Sequence, residues 1–150
     1  MRGTQDIKEI RYEISMQTEK TIRDFEADFI YDKNNNYYNG VVENKYTDGI
    51  YKGDVDDMGR RHGYGIFMYY SSAIYAGQWL EDMQTGQGVH VFENQDRYEG
   101  QLLGGKKHGQ GRYYFYKNGN TYNGNWKNDT RDGYGEFIYR LSNEKYLGRK

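Results

Sequence analysis

From residue 51 onward, large apolar positions alternate with small or polar ones, and glycine breaks the alternation at fixed intervals. Four times Tyr-x-Gly is followed by Gly-x-Gly: Tyr51/Gly53 with Gly63/Gly65, Tyr75/Gly77 with Gly86/Gly88, Tyr98/Gly100 with Gly109/Gly111, and Tyr122/Gly124 with Gly133/Gly135. The lead tyrosines are 24, 23 and 24 residues apart. A fixed period of this length marks a repeat array whose units bury their apolar faces on one another. Each unit reads as two strands. The first runs from the lead tyrosine to Val55, Trp79, Leu102 or Trp126, and the second runs from Gly-x-Gly through stretches such as Ile66–Tyr70 and Arg112–Tyr116.

Strand side chains alternate between faces. The tyrosine, the glycine and the Trp or aliphatic residue of the first strand therefore share a face. In the second strand the glycines share a face with Phe67/Tyr69, His90/Phe92, Tyr113/Phe115 and Phe137/Tyr139. Where the two faces coincide, a ring lies flat over bare backbone. This predicts a repeat core of Tyr51, Tyr75, Trp79, Tyr98, Tyr122 and Trp126. The other face is mixed, with Ile66, Met68, Tyr70, Val89, Val91, Tyr114, Tyr116 and Ile138 beside Gln78, Gln101, Arg112 and Asn125. Apolar surface left open on a single sheet marks an interface. Partner contacts are expected at Met68, Tyr70, Tyr114 and Tyr116.

The first 28 residues follow another period. Ile7, Ile10, Ile14, Thr18, Ile22, Phe25 and Phe29 fall on one side of a helix at about 100° per residue. A helix is expected over about residues 5–24, capped by Thr4 or Asp6. It serves either as a cap on the first repeat or as a docking helix, with Ile7, Ile10 and Ile14 as contacts. Residues 29–50 read as a degenerate, shortened unit with a turn at Asn34–Asn36. Tyr146-Leu147-Gly148 opens a partial fifth unit, whose strand either closes the array or awaits a partner's strand.

Composition sharpens this into an all-β protein of successive hairpins. Gly numbers 20 and Tyr 18 in 150 residues, with no Pro, so glycine makes the turns alone. The absence of Cys excludes disulfides and cysteine zinc sites, and fits a reducing compartment. No apolar run of about 18 residues predicts a membrane-spanning helix, and residues 1–24 lack a signal-peptide core. A net charge of −1 gives no support for nucleic-acid binding.

The pattern resembles the MORN repeat, on Tyr122-Asn123-Gly124-Asn125-Trp126, Arg61-His62-Gly63-Tyr64-Gly65, Lys107-His108-Gly109-Gln110-Gly111 and Asn118-Gly119-Asn120-Thr121-Tyr122. Thr85 and Asp132 depart from it where the family has His, and His90 replaces an aromatic residue. The resemblance implies an elongated, twisted antiparallel sheet of hairpins, roughly 40–50 Å long at about 4.8 Å per strand. It also implies a protein-binding scaffold. Short arrays of this kind occur in ciliary axonemes, including radial-spoke heads, so other subunits of a cytoskeletal complex are the expected partners and the cytoplasm and axoneme the expected location.

Chemistry finds little purchase. Gly-x-Gly recurs with no helix after it, unlike a phosphate loop. His62 and His108 sit two repeats apart, roughly 20 Å on the same strand spacing, too far to share a metal. No catalytic residue, cofactor or metal is expected, and the 150 residues leave no room for an enzyme domain. Two alternatives stay open: a phosphoinositide-binding membrane tether, and a regulatory subunit of an enzyme complex. The tether is the weaker, because the basic residues assigned to the turns (Arg60, Arg61, Lys106, Lys107, Lys127, Arg131) are matched by acidic ones.

Overall fold

The computed structural model describes residues 7–9, 16, 19–20, 23, 42–142 and 144–149. Residues 42–149 build one open antiparallel sheet in which every strand lies beside its sequence neighbours. The strands are β1 (Val42–Lys45), β2 (Gly49–Val55), β3 (Arg61–Tyr69), β4 (Ile74–Leu80), β5 (Met83–Val91), β6 (Arg97–Leu103), β7 (Lys106–Tyr114), β8 (Thr121–Lys127), β9 (Thr130–Tyr139) and β10 (Glu144–Arg149). In the N-terminal segment Ile7–Glu9, Met16, Glu19, Lys20 and Arg23 are helical. Of the degenerate unit, residues 29–41 lie outside the described residues, and the rest forms β1 and the turn into β2.

The register puts one glycine from each of β2 to β10 in a single row across the sheet: Gly53, Gly65, Gly77, Gly88, Gly100, Gly111, Gly124, Gly135 and Gly148. A parallel row carries Tyr51, Phe67, Tyr75, His90, Tyr98, Tyr113, Tyr122, Phe137 and Tyr146. The four lead tyrosines lean over the glycine row and are fully buried there. A β-carbon at Gly88 would stand 2.5–2.7 Å from the Tyr75 ring and hydroxyl, and one at Gly53 would meet Tyr51 as closely. The aromatic core expected from the alternation is therefore present, Trp79 and Trp126 included.

The two glycines of Gly-x-Gly do different work. The second makes room for the ring. The first (Gly63, Gly86, Gly109, Gly133) holds φ between +67° and +99°, a region open to glycine at little cost. There the ladder shifts register, between Gly53 and Val55, Gly77 and Trp79, Gly100 and Leu102, and Gly124 and Trp126. The residue at each shift turns its carbonyl to the lead tyrosine. Tyr51 Oη donates to Asp54 O (2.6 Å), Tyr75 to Gln78 O (2.8 Å), Tyr98 to Gln101 O (2.6 Å) and Tyr122 to Asn125 O (3.1 Å). Three of these residues also accept a backbone N–H through their side chains, Asp54 from Tyr64, Gln78 from Gln87 and Gln101 from Gln110.

Trp79 and Trp126 join units in pairs. Trp79 stands edge-on to both Tyr51 and Tyr75, with centroids 5.4 and 5.1 Å away, and donates its indole N–H to Gly65 O. Trp126 repeats this on Tyr98 and Tyr122, with its N–H on Gly111 O.

Three expectations are corrected. The later hairpin turns are only two residues long (Glu81-Asp82, Gly104-Gly105, Asn128-Asp129), all at positive φ, as the twist of paired strands favours. Consequently Lys107 and Arg131 lie on strands and not in turns, and Arg61, after the longer first turn of residues 56–60, is likewise the first residue of β3. Tyr70 and Tyr116 fall the other way: β3 stops at Tyr69 and β7 at Tyr114, so both sit in connectors. Finally, the second face is not bare apolar surface, because Ile66, Ala76 and Val89 on it are buried.

A Gly88→Ala substitution should cost about 3 kcal/mol or more, because a methyl group cannot share space with the Tyr75 ring. Gly59→Ala, at positive φ but with nothing within 4 Å, should cost only about 1 kcal/mol. Urea melts of the two variants measure the difference, and equal losses would contradict the ring-on-glycine packing.

Candidate interaction surface

The first face carries a continuous zigzag of rings outside the tyrosine–glycine core. It runs Phe67, Tyr69, His90, Phe92, Tyr113, Phe115, Phe137, Tyr139. Within one unit, neighbouring centroids are 4.2–4.7 Å apart. From one unit to the next they are 5.8–6.0 Å apart. Such spacings lie in the range of favourable ring contacts. Phe67 is fully buried, Tyr139 is exposed, and the six between them are half-buried. The rings thus present a strip of aromatic edges to solvent along the sheet.

Cations flank the strip. Arg61, Lys107 and Arg131 stand two residues before the first glycine of their units, opposite Val55, Leu102 and Trp126. Arg61 lies over the rings of Tyr46, Phe67 and Trp79 at 4.6–5.3 Å. Lys107 Nζ is 5.3–5.9 Å from Phe92, Tyr98, Tyr113 and Trp126. Arg131 covers Tyr122 and Phe137. In the remaining unit this place belongs to Gln84, which donates to Tyr69 Oη at 2.8 Å.

The turn of the following unit holds two of the cations. Asp82 accepts from the Arg61 side chain at 3.0 Å and from its backbone N–H at 2.8 Å. Asp129 accepts from the Lys107 N–H at 2.8 Å and pairs with its Nζ at 3.5 Å. Arg61 lowers the Asp82 carboxyl below its usual range through these bonds. At the other end of the strands, buried Asp96 accepts from Tyr113 Oη and from the Tyr116 N–H.

His90 sits within the strip, stacked on Phe92 and Tyr69 and edge-on to Tyr75. Burial, with the Lys107 charge second, pushes its pKa down to about 4, so it is a neutral ring at pH 7. His62 is exposed and His108 half-buried. No group of three His, Asp or Glu converges as a metal site among the described residues. Burial raises the Tyr51, Tyr75 and Tyr98 hydroxyls far above the ordinary phenol range.

The expected contact residues scatter. Met68 is exposed and Tyr114 half-buried, both on the second face, while Tyr70 is exposed and Tyr116 half-buried in the connectors. Ile7 is helical and half-buried, and Ile10 and Ile14 lie outside the described residues. The structure brings together instead the cations of the first face, which the turn assignment missed. Their signal was in the chain: the alternation that places Gly63 and Gly65 on one face places Arg61 there too.

The family model for the MORN repeat matches residues 57–73, 75–97, 98–120 and 122–140, more than half of the chain. Among curated proteins, the chain is similar to alsin of Rattus norvegicus, at 31% identity over 114 residues, and alsin of Homo sapiens, at 28% over 113. Each match covers 69% of this chain but only 7% of alsin.

His90 makes stability depend on acid. Its folded pKa is below the unfolded value of about 6.5, so the unfolded chain takes up the proton first. Its contribution is complete above about pH 6.5 and is lost progressively toward pH 4, by up to about 3 kcal/mol. His90→Phe should remove that component. Chemical denaturation of both chains at pH 7.5 and 4.5 should give a smaller loss for the variant.

Proposed function

Because the chain belongs to the MORN-repeat family, we propose that it is a non-enzymatic adaptor that holds protein partners along the aromatic strip of its first face. Members of the family are generally non-catalytic modules that bind proteins or membranes. The observation that carries the proposal is the half-exposed ring zigzag. Aromatic rings rich in contact area and fixed by few rotors are what protein interfaces concentrate. The flanking Arg61, Lys107 and Arg131 add donors for a partner's carbonyls and carboxylates.

A protein partner draws more support than an anionic membrane. Arg61, Lys107 and Arg60 are each paired with a carboxylate, namely Asp82, Asp129 and Asp56. A lipid headgroup would have to displace these partners. In the cell we propose a cytoskeletal assembly, the ciliary axoneme, as the setting. Its support is the likeness of a short repeat array to axonemal members of the family. A tagged chain that localises away from cilia and cytoskeleton would remove that part of the proposal.

Affinity capture with the full chain tests the binding face. Phe92→Ser with Phe115→Ser should reduce recovery of partners about tenfold or more, as expected for loss of central aromatic contacts. Lys52→Glu with Arg112→Glu, on the second face, should leave recovery unchanged. The reverse pattern would overturn the assignment, and recovery on phosphoinositide vesicles alone would favour the membrane tether.

A further inference from the structure

The aromatic strip is periodic, and its period limits what can lie along it. Each unit offers one inner and one outer ring, such as His90 with Phe92 and Tyr113 with Phe115, and equivalent rings recur at every second strand. Two strand spacings make the step about 9.6 Å. A peptide that crosses the strands along the strip has to present a contact group to the same side at that step.

Backbone conformations differ in whether they can. A β-strand advances about 3.3 Å per residue and turns successive side chains to opposite faces. Residues three apart then match the step in length but point opposite ways. An α-helix advances about 1.5 Å per residue, so one step is about 6.4 residues, which leaves the contact side about 80° out of phase at each unit. A polyproline II helix advances about 3.1 Å per residue with three residues per turn. Every third residue returns to the same side after about 9.3 Å. From the first unit to the fourth, such a ligand and the strip differ in length by only about 1 Å.

Shape and polarity agree with this. Neighbouring strands of a sheet are turned by roughly 20–25°, so the strip winds as it runs from β3 to β9. A polyproline II segment has no internal hydrogen bonds to hold it straight and can follow that path. Its carbonyls are unpaired, and the strip has donors for them. Tyr69 Oη accepts from Gln84 at 2.8 Å, which leaves its own O–H to donate outward. Phe92 and Tyr113, with Glu93 and Asn94, frame an open hollow between the second and third units, a seat for a flat, rigid apolar ring. Charge adds a direction. Arg61 and Lys107 are already paired with Asp82 and Asp129. Arg131 lies over Tyr122 and Phe137, and no carboxylate pairs with it among the described residues. The fourth unit is where a ligand carboxylate gains most.

We propose that the strip binds a proline-rich segment in the polyproline II conformation, with a proline at every third position, one per unit, and acidic residues at the end that reaches Arg131. The proposal rests on the strip being the binding face and names the chemistry of its ligand.

Isothermal titration calorimetry of the full chain with synthetic peptides tests it. A peptide of four Pro-Pro-Gln triplets should bind. One extra Gln between the second and third triplets turns the two halves about 120° apart and should weaken binding about fivefold or more. A run of Glu at one end of the triplet peptide should strengthen binding more than the same run at the other end, and Arg131→Gln should remove that difference. Phe92→Ser with Phe115→Ser should cost about tenfold or more. If that variant unfolds, the inserted residue decides on the native chain. No binding of the triplet peptide, equal binding of the two spacings, or equal affinity of the two Glu-tagged peptides would overturn the proposal. An amphipathic helical peptide of Leu, Glu and Lys is the control. If it binds where the triplet peptide does not, and loses affinity in the Phe92→Ser, Phe115→Ser chain, the polyproline chemistry fails while the strip stands as the binding face. Triplet binding that those two changes leave intact in a folded chain would overturn both.

Discussion

A tyrosine ring laid flat on glycine is the contact from which the rest of the sheet is organised. The ring needs bare backbone on its own strand and on the next, which fixes a glycine at the same level of every strand from β2 to β10. Its hydroxyl needs an acceptor, which the register shift provides by turning a carbonyl toward it. The shift needs a positive φ, and that fixes the first glycine of Gly-x-Gly. Tyr-x-Gly and Gly-x-Gly are thus two parts of one device. A buried hydroxyl left without an acceptor would cost about 1–3 kcal/mol, so the carbonyl belongs to the core as much as the ring does.

Most of this was legible in the sequence because it follows from a period of two within strands and a period near 24 between units. The lead tyrosines, the tryptophans and the aromatic column could all be assigned to one face from their spacing. Strand ends could not. Tyr70 and Tyr116 continue the alternation on paper, yet the connectors take them, because Tyr70 N–H donates to Asp48 O and Tyr116 N–H to Asp96. Arg61 and Lys107 failed for the opposite reason. A charge beside a turn looks solvated, yet β3 begins at Arg61 itself and the two-residue turn at Gly104-Gly105 leaves Lys107 on β7, so both stand on the ring face. Nor could alternation foresee the burial of Ala76 or Arg97 on the second face.

The candidate interaction strip is a by-product of the same geometry. Rings that pack the core from above the glycine row leave their outer edges to water, and no unit can hide its rings without a neighbour on both sides. His90 shows how far the column tolerates change: an imidazole fits the stack provided that it stays uncharged. What distinguishes one unit of the strip from the next is therefore less the rings, which every unit has, than what stands beside them. Arg61, Gln84, Lys107 and Arg131 differ at one equivalent place, and so give an otherwise monotonous surface a direction.

Trp79 and Trp126 bear on how such a chain can grow. Each indole bridges two lead tyrosines, and the same two-unit rhythm recurs in Asp82 and Asp129, which clasp Arg61 and Lys107. Copying a single unit would put Leu102 beside a second copy of itself, or set two indoles against one tyrosine. Copying two keeps every indole, carboxylate and cation in its own setting. In its contacts the array is therefore built of doublets, with a step of 47 residues from Trp79 to Trp126.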